Sequence, residues 1–209
     1  MKRALFVWGG WDGHTPREST ELFAGWLAGQ GFEVERAETL AVLADRARLA
    51  ATDLVVPVWT MGELTDEEEN GLCDAVAAGT GLAGWHGTMG DSFRTRTRYQ
   101  WMTGGQFVAH PGGIQPSYEV NVVDHLHPIT SGVEDFAIPD SEQYYLHVDP
   151  ANRVLATTTF ADGTVMPAVW TRKWGTGRVA YASFGHTVRD FDVPEAREIV
   201  QRSLLWACR

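Results

Sequence analysis

The sequence predicts an α/β fold: a doubly wound, mostly parallel sheet with helices on both faces. Three observations carry that reading. Strand-like and helix-like periods alternate through the first two thirds of the chain. The run Asp53-Leu54-Val55-Val56-Pro57-Val58-Trp59 is continuously apolar, as a strand buried on both faces of a parallel sheet must be. Right-handed crossovers between such strands place helices on both sides of the sheet.

The elements follow in order. Ala4–Trp8 reads as a strand and runs into the loop Gly9-Gly10-Trp11-Asp12-Gly13-His14. Thr15-Pro16-Arg17-Glu18 offers a cap, a proline at the first helical position and a capping-box glutamate. Leu22, Phe23, Trp26 and Leu27 then recur at helical spacing up to Gly29 and Gly31. Phe32–Ala37 alternates as a strand, and Leu40–Leu49 reads as a short helix. Thr65-Asp66-Glu67-Glu68 is a second capping box, opening a helix through Leu72, Cys73 and Val76 to Gly79. A short strand follows in Gly81–Gly87. From 104 to 149 the pattern loosens into Pro, Gly, His and Asp, with strand-like pieces such as Glu119–Val123; this stretch is expected to be an insertion that walls a cleft. Strands are expected at Val154–Phe160, Ala168–Thr171 and Val179–Phe184, with a tight turn at Lys173–Arg178 and a last helix at Pro194–Ala207. The 209 residues fit one domain, 1–209.

Composition removes several function classes. The net charge is −10, from 17 basic and 27 acidic residues, so nucleic-acid binding has no electrostatic support. No apolar run reaches the roughly eighteen residues a membrane span needs. The apolar stretch after Met1-Lys2-Arg3 is too short for a signal peptide, so a cytoplasmic protein is expected. Cys73 and Cys208 are too few for a disulfide framework and lack metal-ligand spacing. Neither a G-x-S-x-G elbow nor Walker, HExxH or CxxC motifs occur, and the loop after the first strand lacks the G-x-G-x-x-G spacing of a dinucleotide site.

Ligands of open parallel sheets bind beyond the carboxyl ends of the strands. That rule gathers Trp11 and His14 after the first strand, Trp59 and Thr60 at the end of the third, His86 after the fourth and His186 before the last helix. His14, His86, His110 and His186 all lie in glycine-flanked loops, which permit close backbone approach to a ligand. Taken singly, each could equally cap a helix or bond a carbonyl. His125 and His127 read as surface loop, with a His-x-His metal pair as the other reading. Period two puts Glu142, Tyr144 and Leu146 on one face of a strand-like stretch, for which a solvated edge is the plainer reading. Trp26 and Trp206 sit at helical spacing as core residues; Trp8, Trp11, Trp59 and Trp85 stand at strand ends, where a flat surface suits a sugar ring or core packing equally.

The combination resembles the ThuA-like (trehalose-utilisation) family of the class I glutamine amidotransferase-like superfamily. The stretches that carry it are Trp8–His14, Gly84-Trp85-His86-Gly87, Gly104–Pro111, His127–Gly132, Ser141–Tyr145 and the long segment Pro167–His186. The resemblance implies a flavodoxin-like sheet. It also implies a reacting position at the sharp turn after a central strand, where amidotransferases carry a cysteine and this chain carries His86, and a second position occupied by His186. Without a cysteine beside a base, glutaminase activity is not expected. The family's link to sugar catabolism implies an enzyme, a hydrolase, lyase or isomerase, acting on a sugar or keto-sugar. On that reading His86, His186 and Glu142 are the catalytic candidates by acid/base chemistry, because imidazole exchanges protons at cellular pH. Trp11, His14, Trp59, His110 and Tyr144 are the substrate-binding candidates. His14, His86, His110 and His186 are an alternative set of ligands for a divalent metal, zinc or manganese. A non-catalytic carbohydrate or small-ligand binder is the competing reading, and an interaction subunit working with a sugar oxidoreductase is a third. Self-association into a homo-oligomer is expected of proteins of this size and fold.

Overall fold

A computed structural model describes residues 1–209. The chain begins with β1 (Arg3–Gly10), α1 (Pro16–Gly29), β2 (Glu33–Ala37), α2 (Arg46–Ala50), β3 (Leu54–Thr60), α3 (Asp66–Ala77) and β4 (Gly81–Trp85). Two short helices, α4 (His86–Gly90) and α5 (Thr97–Thr103), lead to β5 (Gly105–Ala109), β6 (Ile114–Val122), β7 (Phe136–Glu142) and β8 (Tyr145–Val148). It ends with β9 (Arg153–Thr159), β10 (Val165–Trp174), β11 (Gly177–Ala182) and α6 (Pro194–Ala207).

The main sheet runs β2-β1-β3-β4-β11-β10-β9-β6-β7. Its first five strands are parallel and follow the flavodoxin-like order, with the reversal of winding between β1 and β3. The expected parallel sheet is therefore half of the real one. From β11 onward all four pairings are antiparallel, so the sheet is mixed. The hairpin between β10 and β11 turns the direction, because a tight turn permits only an antiparallel return. Residues 104–149 supply β6 and β7 to the edge of this sheet, while β5 and β8 form a separate two-stranded pair.

Both faces of the parallel half are buried. Along β1, Ala4 and Phe6 pack under α1 and α6 with Phe23, Leu27, Ile199 and Leu204. Leu5 and Val7 point the other way, to Leu72, Val76 and Tyr181. The Thr65 capping box forms as the sequence predicts: Glu68 N donates to Thr65 Oγ1 at 3.2 Å and Thr65 N donates to Glu68 Oε2 at 2.7 Å. Three local expectations fail for physical reasons. Thr15 takes a left-handed conformation (φ 46°), and its hydroxyl accepts from Val188 N at 2.9 Å instead of capping α1. Leu40–Leu49 breaks at Asp45, whose carboxylate caps α2 by accepting from Arg48 N at 3.0 Å. His125 and His127 part company: His125 is exposed, whereas His127 is buried and its Nδ1 accepts from Ile129 N at 3.2 Å, so no His-x-His pair forms. No helix is long and apolar enough to cross a membrane.

Replacing Thr65 with alanine removes one half of the capping box. Unfolding in denaturant is expected to show a loss of about 1 kcal/mol with the helix content unchanged.

Candidate functional site

Three of the parallel strands deliver a histidine to the same end of the sheet. β1 runs into the turn Asp12–His14, β4 ends at Trp85 with His86 as the next residue, and His186 follows β11 by four positions. Glu142, the last residue of β7, reaches the same point from the antiparallel half. One ligand-type atom from each of His14, His86, Glu142 and His186 lies within 4.8 Å of all the others. All four residues are buried or nearly so.

His86 sits at φ 40°, in the left-handed region, on the sharp turn from β4 into α4. That conformation costs a non-glycine residue about 1–2 kcal/mol. Two hydrogen bonds hold it: Tyr181 Oη donates to the His86 carbonyl at 3.0 Å, and His86 Nδ1 donates to the Ser183 carbonyl at 2.8 Å. The second bond decides the tautomer. A carbonyl can only accept, so Nδ1 carries the proton and Nε2 presents a lone pair. That lone pair faces Glu142 Oε2 at 3.3 Å. Burial pushes His86 down to about 3, the neighbouring carboxylate opposing this, so the ring is neutral at cellular pH. Burial pushes Glu142 up, but the imidazole nitrogens of His14, His186 and His86 gathered around it outweigh burial and hold the carboxyl far below its usual range.

The other imidazoles complete the ring of nitrogens around Glu142 Oε2. His186 Nδ1 stands 3.3 Å away and makes no hydrogen bond; His14 Nε2 stands 3.9 Å away. His14 is fixed by Thr60 Oγ1, 2.7 Å from Nδ1. Donors bound to zinc at about 2.0–2.1 Å in tetrahedral array lie about 3.4 Å apart. Three imidazole nitrogens and a carboxylate oxygen, all within 4.8 Å of one another, are a donor set that could hold a divalent ion.

Close packing fixes the cluster. Tyr144 stacks on His86 with ring centres 3.7 Å apart. A methyl group on Gly87 would come within 2.3 Å of the His14 ring and 2.7 Å of Tyr144 Oη, so only glycine fits between them. Asp190 is the strut behind the site. Its Oδ2 accepts from Ser141 Oγ at 2.6 Å and from the backbone N–H groups of Gly185 and His186 at 3.0 Å each. One carboxylate oxygen thus ties the strand carrying Glu142 to the loop carrying His186.

The sequence model of the ThuA family, described as trehalose utilisation, matches residues 3–207. The chain belongs to the ThuA family. Among solved structures, a ThuA-like protein of Bacteroides uniformis ATCC 8492 superposes with a TM-score of 0.82 at 18% identity, covering 99% of this chain and 91% of that one. A ThuA-like protein of Parabacteroides merdae ATCC 43184 gives 0.79 at 16%, covering 99% and 89%. A protein of Salmonella typhimurium described as cytoplasmic gives 0.66 at 11%, covering all of both chains. No curated protein sequence matches the chain.

The expected site residues of this ThuA-family chain fall into three groups. His14, His86, His186 and Glu142 converge as a group that could hold a metal ion, with Glu142 in it and His110 outside it. His110 is 43% exposed in its side chain, with Nε2 3.8 Å from the other oxygen, Glu142 Oε1. Together with Trp11 and Tyr144 it lines a cavity of about 110 Å³ that opens onto His14 and Glu142. Trp59 stays outside that cavity, because its indole covers the backbone of Gly9, Gly10 and Gly62. Nor is His86 an exposed group: its ring is fully buried, with Nδ1 on the Ser183 carbonyl and Nε2 against Glu142. Trp85 is core, packed on Phe23 and Phe191. Neither thiol approaches the site; Cys73 is buried in α3, where burial pushes it up to about 12. The largest neighbouring cavity, about 810 Å³, lies along His186, Arg189 and Asp140. Asp91, Arg94 and Asp190 carried no sequence signal, since nothing local distinguishes them from surface charges.

Two substitutions test the packing. Gly87→Ala is expected to displace His14 and abolish binding of zinc while leaving the circular dichroism spectrum intact. Asp190→Ala strands three buried donors and is expected to lower stability by about 1–3 kcal/mol in denaturant titration.

Proposed function

We propose that this chain is a metal-assisted enzyme of carbohydrate catabolism acting on a sugar or keto-sugar derivative, without glutaminase activity. One observation carries the metal half of the reading: the unprotonated Nε2 of His86 faces an ionised carboxylate oxygen at 3.3 Å. Two lone pairs held in apposition repel, and a cation between them turns the repulsion into two bonds. The sugar half rests on family membership, trehalose utilisation being the family's description.

His14, His86, His186 and Glu142 would hold the ion, zinc or manganese. Bound there, a divalent ion supplies Lewis-acid polarisation of a carbonyl or hydroxyl oxygen. The chain's own groups do the rest. Ser183 and Thr60 orient two of the ligands through their second nitrogens, as metal-binding imidazoles require. Tyr144 Oη has no protein partner and lies beside His14 in the cavity wall, where it can donate to a substrate oxygen. His110 stands at the mouth, the one histidine of the group with open access to water and so the one placed to carry a proton in or out. A cytoplasmic location, a homo-oligomeric state and a sugar oxidoreductase in the same pathway belong to the same proposal.

Metal analysis of the purified chain is expected to find one zinc or manganese per protomer. His86→Ala and Glu142→Gln are expected to lose it, and turnover of keto-disaccharides is expected to disappear with the metal and return on its addition. Calorimetry showing no binding of either ion would sink the metal reading. A metal-loaded protein that binds sugars yet turns none over would make it a carbohydrate-binding protein.

A further inference from the structure

Arg94 is the only arginine or lysine lining the cavity that opens onto His14 and Glu142. Its guanidinium is locked side-on. Nε donates to Asp91 Oδ1 at 2.6 Å, Nη2 donates to Asp91 Oδ2 at 2.8 Å, and Asp91 is itself buried. The Cζ atom stands 5.6 Å from the centre of the Phe107 ring, which supports the plane from one side. Nη1 has no partner in the protein, and half of the side chain (50%) remains exposed.

Side-on pairing uses one edge of the guanidinium and leaves the other. One hydrogen of Nη1 and the outer hydrogen of Nη2 form a second fork of parallel donors, already oriented. Such a fork fits two oxygens on neighbouring atoms, which a carboxylate or a sugar diol can supply. Charge separates the two. Asp91 already neutralises Arg94, and Glu142 lines the same small cavity, so the guanidinium has no unpaired charge left for a further carboxylate. A neutral pair of hydroxyls needs none. Trp11, 47% exposed, offers a flat apolar surface in the same wall for the ring's C–H face. The volume of about 110 Å³ is well under the range of about 300–1,000 Å³ that encloses a drug-sized ligand, so the cavity takes one ring end and not a whole disaccharide.

We propose that Arg94 is the specificity-determining residue of the site: its free fork binds two adjacent oxygens of a neutral, terminal sugar ring. This rests on the reading of the cavity as a sugar site beside a metal centre. Calorimetric titration of the zinc-loaded protein with D-glucose, trehalose and D-glucuronate tests it. Wild type is expected to take glucose and trehalose and to disfavour glucuronate. Arg94→Lys keeps the charge but loses the fork, so it should bind glucose and trehalose about tenfold more weakly, the worth of one or two hydrogen bonds, with zinc content unchanged. Sugar affinity unaltered in Arg94→Lys would overturn the assignment while leaving the metal site and the sugar site standing. Glucuronate binding preferentially, and losing that preference in Arg94→Lys, would make Arg94 an anion receptor and overturn it too. A wild-type protein that holds zinc but no sugar would remove the underlying reading, and the role of Arg94 with it.

Discussion

The site depends on where one proton sits. The Ser183 carbonyl takes the Nδ1 hydrogen of His86, and everything around the ring follows from that. A neutral imidazole has one proton to give, so the nitrogen that faces Glu142 arrives without one. An ionised carboxylate in a buried position is costly unless something compensates it. Here the nearest groups are three imidazole nitrogens at 3.3–3.9 Å, of which one is already committed as an acceptor. A protein assembled for stability alone would place an arginine or backbone N–H groups there. The donor set it does place is one that could hold a metal ion.

The surrounding structure keeps that arrangement from relaxing. His86 would leave its left-handed conformation if its carbonyl were not held by Tyr181, and Glu142 would swing away if Ser141, its neighbour in β7, were not anchored to Asp190. Asp190 in turn fixes the backbone of His186. Two of the four clustered side chains therefore share one strut, and their separation is set by a rigid triangle of hydrogen bonds rather than by the flexible side chains themselves. Burial pushes Asp190 up, opposed by its own donors; it remains the centre of that triangle because its Oδ2 accepts from three of them at once.

The parallel half of the fold was legible because its physics is periodic. Apolar runs such as Leu54–Val58 and the capping box at Thr65 are local signals that tertiary structure reinforces. The antiparallel half was legible only in pieces. β7 carries Pro139 and a left-handed Asp140 and does not read as a regular strand, while β10 was legible only over Ala168–Thr171 because it begins with an exposed Val165 and contains Pro167. Thr15 shows the opposite failure, a strong local signal for capping overridden by a φ of 46° that the loop after β1 imposes. In the site, the rule that ligands gather beyond strand ends was enough to name His14, His86 and His186. Their distances were not legible, because they come from strands far apart in sequence. The role of Glu142 was half legible: its face could be read, its burial could not, since the covering β6 edge and the Asp190 strut are tertiary.

The turn after β4 also shows what a histidine can do where a nucleophile would be exposed. A cysteine at that turn acts through a sulfur that must leave the protein surface and reach a substrate, so its neighbours have to leave it free. Histidine at the same turn has two nitrogens with separate duties. Pinning Nδ1 to the Ser183 carbonyl aims Nε2 inward, away from solvent and toward the carboxylate of Glu142. The strained turn, which would expose a nucleophile, instead presents a buried ligand. Access to the centre then has to come from another side, and it does: the cavity opens past Glu142, between Trp11 and Arg94, where β5 and the end of β7 form the wall. The open face of the site is therefore the cleft beside the turn and not the turn itself: Asp91 and Arg94 line it from the link between α4 and α5, Phe107 and Tyr144 from the 104–149 segment, and Trp11 from the loop after β1.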